Sequence, residues 1–342
     1  MRVALSMLAG VAMAAAGVAS TDHSARALLT AAFSLSNEDT RRIDDGQVVA
    51  RTLEVENRRE VATLGIVRID TTPAIYVERL VDIVNFKRTG DVLQVGTFSS
   101  PPQPADVAAL SVDERDLKRL RDCRVGDCSI RLSAEGIERF REIDWNAVDA
   151  SRRANGLLRE LLLDYVTRYR ESGAAAAIEY AGTPSPLNVG REFASLVDAD
   201  TAIWKYASHL RWHLLEYPVA IDENTSDFIY WSKELVHGRP VISITHVLIA
   251  KATDKSPVRY AIGSKQIYAT HYFDASLGLT LLISDPAASS RGTYVVYLNR
   301  TRIDLFEGLF GSVARRVAAG RARSLVAAQL ERLQRVLAGP RH

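Results

Sequence analysis

Five consecutive segments, "DFIYWSKELV", "PVISITHVLIAKA", "VRYAIGSKQIYATHYFD", "LGLTLLISD" and "GTYVVYLNR", fill most of residues 227–300 and are separated by only a few residues each. β-Branched and aromatic side chains dominate them, and such runs joined by short links argue for an antiparallel meander. The chain then closes on "TRIDLFEGLFGSVARRVAAGRARSLVAAQLERLQRVL". There Leu309, Val313, Val317, Leu325, Leu330, Leu333 and Leu337 supply an apolar face for one long helix over 301–337. Gly308, Gly311 and Gly320 weaken its helix propensity, and close approach to the sheet is the expected reason for them.

Upstream, "QVVARTLEV" and "EVATLGIVRID" read as two strands joined by a turn. In "TTPAIYVERLVDIVNFKR", Thr72 caps, Pro73 suits the first turn, and Ile75, Val77, Leu80, Val81 and Val84 form the stripe of an amphipathic helix. "DVLQVGTF" returns to strand. From 101 to 225 the character is helical, most clearly in "SRRANGLLRELLLDYVTRYRE", where Leu157, Leu158, Leu161, Leu162, Tyr165 and Tyr169 line one side. This block reads as an insertion that interrupts a sheet domain made of 47–100 and 226–338. With 342 residues, 47% hydrophobic and 25% charged, the chain can bury the core such a domain needs.

Residues 1–20, "MRVALSMLAGVAMAAAGVAS", have one positive charge followed by an uncharged run of small residues, the pattern of a secretory signal, and place the protein in the periplasm or outside the cell. A retained membrane anchor is the competing reading, disfavoured by the Ala and Gly content of the run. Export makes the only two cysteines, Cys123 and Cys128 in "CRVGDC", a disulfide pinning a local turn around Gly126. Four intervening residues do not match a redox pair, and Asp122 and Asp127 alone are too few to complete a zinc site.

Strand, helix, strand, then a meander ending in a long helix resembles the helix-grip fold of the START and birch-pollen-allergen (SRPBCC) superfamily. The residues that carry the resemblance are "VRIDTTPAIYVERLVDIVNFKR" at 67–88 and the segment 227–337. It implies an α+β protein whose antiparallel sheet wraps around the C-terminal helix and leaves an apolar cavity, here with a large helical insertion. It also implies a carrier of a lipid-like or polycyclic small molecule that uses no cofactor.

Strand position makes Tyr230, Trp231, Lys265, Tyr268, His271, Tyr272 and Phe273 the candidate pocket residues. Strict alternation puts Lys265 and His271 on one face and Tyr268 and Tyr272 on the other, unless a bulge intervenes. His271 is the candidate proton shuttle, with Asp274 or Lys265 to tune it, against the plainer reading of a hydrogen-bonded histidine in a sheet. In "HLRWHLLE", His209 and His213 share a helical face with Glu216 beyond them, but Leu210 stands where a zinc-protease motif has Glu, and no metal is assigned.

A net charge of +2 gives no reason to expect nucleic acid as a partner. From 301 to 342 there are eight arginines against three acids, Arg315, Arg316, Arg321 and Arg323 among them, so this helix is the candidate for transient contact with anionic membrane surfaces. Walker loops, dinucleotide glycine fingerprints and G-x-S-x-G elbows are absent from the sequence. Two rivals to the carrier stay open: an enzyme of cyclase, dehydratase or isomerase type using the same cavity, and a partner-binding module whose insertion makes the contacts.

Overall fold

The computed structural model describes residues 25–199, 202–218, 222–252, 256–284, 292–304 and 311–337. The signal reading at 1–20 and the placement of Gly308 and Leu309 lie outside them. Two short helices, α1 (Ala25–Phe33) and α2 (Asn37–Asp44), precede the hairpin β1 (Val49–Leu53) and β2 (Glu60–Ile69). Helices α3 (Pro73–Val81) and α4 (Ile83–Phe86) lead to β3 (Val92–Phe98). Then come α5 (Glu114–Asp122), α6 (Ala134–Arg141), α7 (Ala150–Ser172), the small hairpin β4 (Glu179–Tyr180) and β5 (Leu187–Asn188), α8 (Val189–Asp198) and α9 (Ser208–Glu216). The meander β6 (Thr225–Val236), β7 (Arg239–Lys251), β8 (Val258–Ala269), β9 (Phe273–Ile283) and β10 (Thr293–Ile303) follows, and α10 (Gly311–Leu337) ends the described chain.

One antiparallel sheet of eight strands has the order β1-β2-β10-β9-β8-β7-β6-β3. β2 pairs with β10, Ile66 opposite Val296, and β3 pairs with β6, Gly96 opposite Trp231. The helical block therefore leaves the sheet from its edge strand β3 and re-enters at the neighbouring strand β6. This lets it form a layer without breaking the order of the meander.

Both faces of the sheet are covered. Ile229, Trp231, Ile244, Leu248, Leu277, Leu279, Leu281 and Val296 meet Leu158, Leu162, Tyr165 and Tyr169 of α7, Phe193 and Leu196 of α8, and Leu210 and Leu214 of α9. On the opposite face Val67, Ile69, Val247, Ile249, Ile262, Leu282 and Val295 meet Tyr76, Leu80 and Ile83 of α3 and α4, with Val326, Leu330 and Leu333 of α10. Burial on two sides explains why "LGLTLLI" reads as a continuous apolar run and not as an alternation.

Four local expectations change. The last helix does not begin at Thr301: residues 301–303 extend β10, where Arg300 and Arg302 alternate with Thr301 and turn to Glu60, Arg300 Nη2 standing 2.5 Å from Glu60 Oε1. On α10 the buried face is Val326, Leu330 and Leu333, at helical spacing, while Val317 and Leu325 are 50% and 61% exposed. Gly320 has open space around it. The close approach lies in the strand instead, where a Cβ on Gly65 of β2 would stand 2.5 Å from Val326 and 2.6 Å from Leu330. On α3, capped by Thr72 as expected, Tyr76 and Leu80 are buried and Ile75 and Val81 exposed.

Cys123 and Cys128 are bonded. The loop they close turns at Gly126, whose φ of +84° favours glycine, and it docks through Gly126 N–H to Ala181 O at 2.8 Å and Cys128 N–H to Gly182 O at 2.9 Å. A chain of ion pairs fastens α8 to the sheet: Arg302 to Glu192 (2.8 Å), Glu192 to Arg59 (3.1 Å), Arg59 to Asp274 (2.9 Å) and Asp274 to Arg131 (2.6 Å). Among the described residues no helix is long and apolar enough to cross a membrane.

Candidate functional site

The seven residues chosen from the strands do not converge. Ile244 pairs with Tyr268 and Thr245 with Gln266, so Ile267 is an extra residue and the parity of β8 flips there. Lys265 and Tyr268 consequently share the face under the insertion. Tyr268 is buried and its hydroxyl donates to Arg131 O at 3.0 Å. Trp231 lies on that face too, its indole N–H donating to Asp106 O at 2.8 Å. Lys265 is 4% exposed; its Nζ donates to Leu214 O at 3.2 Å and sits 4.7 Å from the centre of the Phe193 ring. Burial without a carboxylate partner lowers its pKa to about 8.

His271 follows β8, with Nδ1 3.0 Å from Ser129 O and Nε2 2.7 Å from Asp116 Oδ2. Its acidic partner thus comes from α5, not from Asp274, which is taken by Arg59 and Arg131. Burial would raise the Asp116 carboxyl, but hydrogen bonds from His271 and Arg239 outweigh it and hold it below the usual range. Tyr272 turns the chain at φ +64° with the Arg239 guanidinium 6.0 Å from its ring, and Phe273 gives its carbonyl to Arg131 at 2.6 Å. Of the seven, only Tyr230 is placed in the cluster on the opposite face.

A second histidine system escaped the sequence because it lies inside an apolar run. Tyr169 Oη is 3.0 Å from His246 Nδ1, His246 Nε2 is 3.2 Å from Asp227, and Arg170 stands 3.5 Å from the same carboxylate. Burial pushes the His246 ring below its usual value, against the pull of Asp227. The ring is fully enclosed by Tyr169 and Tyr217, so this arrangement reads as a buried structural network.

The face that carries α10 is different in kind. Tyr76 and Phe86 meet edge to face at 6.1 Å, Phe228 and Tyr230 lie tilted at 6.3 Å, and Tyr260 and Tyr297 are half-buried beside them. Lys87 Nζ is 2.7 Å from Glu234 and 5.3 Å from the centre of the Tyr230 ring. Among the described residues α10 packs chiefly on β1 and β2, leaving the middle strands of this face to α3 and α4 at one end. Beyond the aromatic end the same face is polar: Ser232, Ser243, Thr245, Ser264, Gln266, Ser276, Asn299 and Thr301 follow the alternation of the five meander strands. Gln266 Oε1, and Thr63 Oγ1 on β2, are enclosed and have no hydrogen-bond partner among the described residues.

Two clefts lie elsewhere. One of about 390 Å³ between α6 and α7 has Leu158, Leu162, Tyr165 and Tyr268 in its wall and the exposed Glu135, Arg168 and Glu179 at its rim. The other, about 290 Å³, lies between α2, β1 and α10 and is lined by Arg42, Arg51 and Arg323. In the wall of the first, Ser133 is engaged in capping α6, and the Tyr165 and Tyr268 hydroxyls donate to Ile267 O and Arg131 O. On the aromatic face, by contrast, polar and apolar groups are arranged end to end. For a metal, the described residues offer one group of three ligands, His209, His213 and Asp222; Glu216, further along the same helix, is exposed and not part of it.

Fold and face together define an α+β protein with one eight-stranded antiparallel sheet, helices on both sides, and an aromatic sheet face that becomes polar along its length. No protein-family model and no curated protein matches the chain. A solved structure of the protein TTHA0849 from Thermus thermophilus is similar over 41% of this chain and 88% of its own, at 15% identity and a TM-score of 0.26. At that level the likeness assigns neither fold nor function.

Proposed function

We propose that this chain is an exported carrier that binds an amphipathic, lipid-like or polycyclic molecule on the α10 side of its sheet, in the manner of the helix-grip proteins its sequence resembles. The observation that carries the reading is the two-ended face. Tyr76, Phe86, Phe228, Tyr230, Tyr260 and Tyr297 offer rigid apolar walls, and the enclosed Gln266 Oε1 and Thr63 Oγ1 lack, among the described residues, partners that a polar ligand end would supply. Each unmade hydrogen bond costs about 1–3 kcal/mol, so a ligand that makes them has a specific gain there. Covering the ligand's own apolar surface adds about 25 cal/mol per Å².

The polar groups at the aromatic end favour holding over proton transfer. Burial raises the Tyr76 and Tyr297 hydroxyls above the usual tyrosine value. Burial alone would lower Lys87, but Tyr230 and Glu234 outweigh it and hold it above the usual lysine value. None of these groups exchanges a proton near neutral pH, which general acid–base chemistry requires. The bonded cysteine pair agrees with an oxidising compartment. A carrier must also meet a donor membrane, and the exposed Arg316, Arg321 and Arg323 with Val317 and Leu325 on α10 are the surface we assign to that contact.

Native mass spectrometry of the protein purified from the cells that make it, followed by organic extraction, tests the reading. One co-purifying apolar molecule per chain is expected. A chain that is empty, and that stays empty when mixed with extracted lipids, would count against the carrier.

A further inference from the structure

Helix α9 carries His209 and His213 one turn apart, and the segment entering β6 brings Asp222 against them. One ligating atom from each lies within 4.8 Å of the other two. His209 Nδ1 is 3.7 Å from Asp222 Oδ2, and the two imidazole rings are 4.4 Å apart at their centres. His213 is fully buried; its Nε2 is 3.2 Å from Thr225 Oγ1, and its Nδ1 is enclosed with no hydrogen-bond partner among the described residues. A packed histidine normally satisfies both ring nitrogens, because an unmade bond of this kind costs about 1–3 kcal/mol. Here an imidazole with one nitrogen left over stands beside a second imidazole and a carboxylate.

We propose that His209, His213 and Asp222 form a binding site for a divalent transition cation, zinc foremost, at the junction of α9 and β6. The donor set argues the class of metal: two imidazoles and one carboxylate suit zinc and its first-row neighbours, and supply too few oxygens for calcium or magnesium. A tetrahedral zinc with bonds of about 2.0–2.1 Å puts its ligands about 3.3 Å apart, so the group must close by roughly an ångström or more. His209 and Asp222 can make that movement, since their side chains are 59% and 38% exposed, while His213 is fixed in the core. With its Nδ1 on the cation, His213 would keep a proton on Nε2 and donate it to Thr225 Oγ1. A hydrogen bond of that type sets the tautomer of a ligating imidazole. Water takes the fourth position on the exposed side. The cation ties the last helix of the insertion to the first strand of the meander, and it acts independently of the aromatic groups on the other face.

The experiment uses the untagged full chain, stripped with a chelator and titrated with cobalt(II), followed by visible absorption, and with zinc(II), followed by calorimetry. One equivalent per chain is expected, with cobalt d–d bands that zinc displaces and a thermal midpoint that rises when zinc is added. His209→Ala and Asp222→Asn, both at exposed side chains so that folding is retained, are each expected to weaken binding by at least about tenfold. His237→Ala, exposed in the β6–β7 turn, is expected to leave it unchanged. No stoichiometric binding, equal affinity in either ligand variant, or loss of binding with His237→Ala would overturn the proposal.

Discussion

Lys265 holds an ammonium group among Phe193, Tyr169 and a single backbone carbonyl, and this makes it the clearest residue to test. Its pKa falls from 10.5 to about 8 through burial. Below about pH 8 the amine is charged in both the folded and the unfolded chain, so the full cost of burying it is present. Between about 8 and 10.5 the unfolded chain keeps a proton that the folded chain has released, so stability rises with pH across that window. Lys265→Met should therefore stabilise the protein at pH 7 by about 2–3 kcal/mol in urea unfolding, with the gain closing by about pH 10.5. A gain that persists at high pH would locate the effect in packing instead. The same strand shows what a single residue can hide. Alternation correctly separates faces along most of β8, but the extra Ile267 reverses Tyr268, and no local property of "SKQIYAT" announces a bulge. His271 was visible as a candidate; its partner Asp116, 155 residues earlier in the chain, was not.

Among the elements, α10 and the disulfide loop carry the sharpest expectations. Val326, Leu330 and Leu333 are the buried side chains of α10, and Gly65 lets Val326 and Leu330 approach β2. Leu330→Ala should cost about 2–4 kcal/mol, and Gly65→Val should destabilise through overpacking at the same contact, both measured by chemical denaturation. Either substitution leaving stability untouched would detach α10 from the sheet. The five-residue separation of Cys123 and Cys128 makes their loop short, so a double Cys→Ala variant should lose only about 2 kcal/mol and still fold. Failure to fold would mean the loop organises the insertion more widely than its docking on Ala181 and Gly182 implies. The meander strands were legible because two-sided burial makes them long and apolar. The start of the last helix was not, because Arg300 and Arg302 look like helix-surface charges until Glu60 is placed beside them. The stripe on α10 was misplaced for a related reason: Val317 and Leu325 are apolar residues that the fold leaves outside.

For the whole molecule, the sequence indicated an antiparallel sheet interrupted by a helical block and followed by a helix, and the structure has that order. It did not show that the block covers most of one face of the sheet, which turns Trp231, Lys265 and Tyr268 into core and leaves the α10 face for the proposed ligand. Nor did it show Asp222 meeting the histidines of α9, since that depends on how the insertion returns to β6. The central claim is that the aromatic face holds an apolar molecule. The direct measurement is a titration of a fluorescent fatty-acyl probe into the wild-type protein, Tyr230→Ala, and Leu161→Lys in the α6–α7 cleft. Saturable one-to-one binding, weakened at least about tenfold by Tyr230→Ala through loss of an aromatic anchor and untouched by Leu161→Lys, is the predicted result. Binding that ignores Tyr230→Ala, or fails with Leu161→Lys, would contradict the account and move the site to the other side of the sheet.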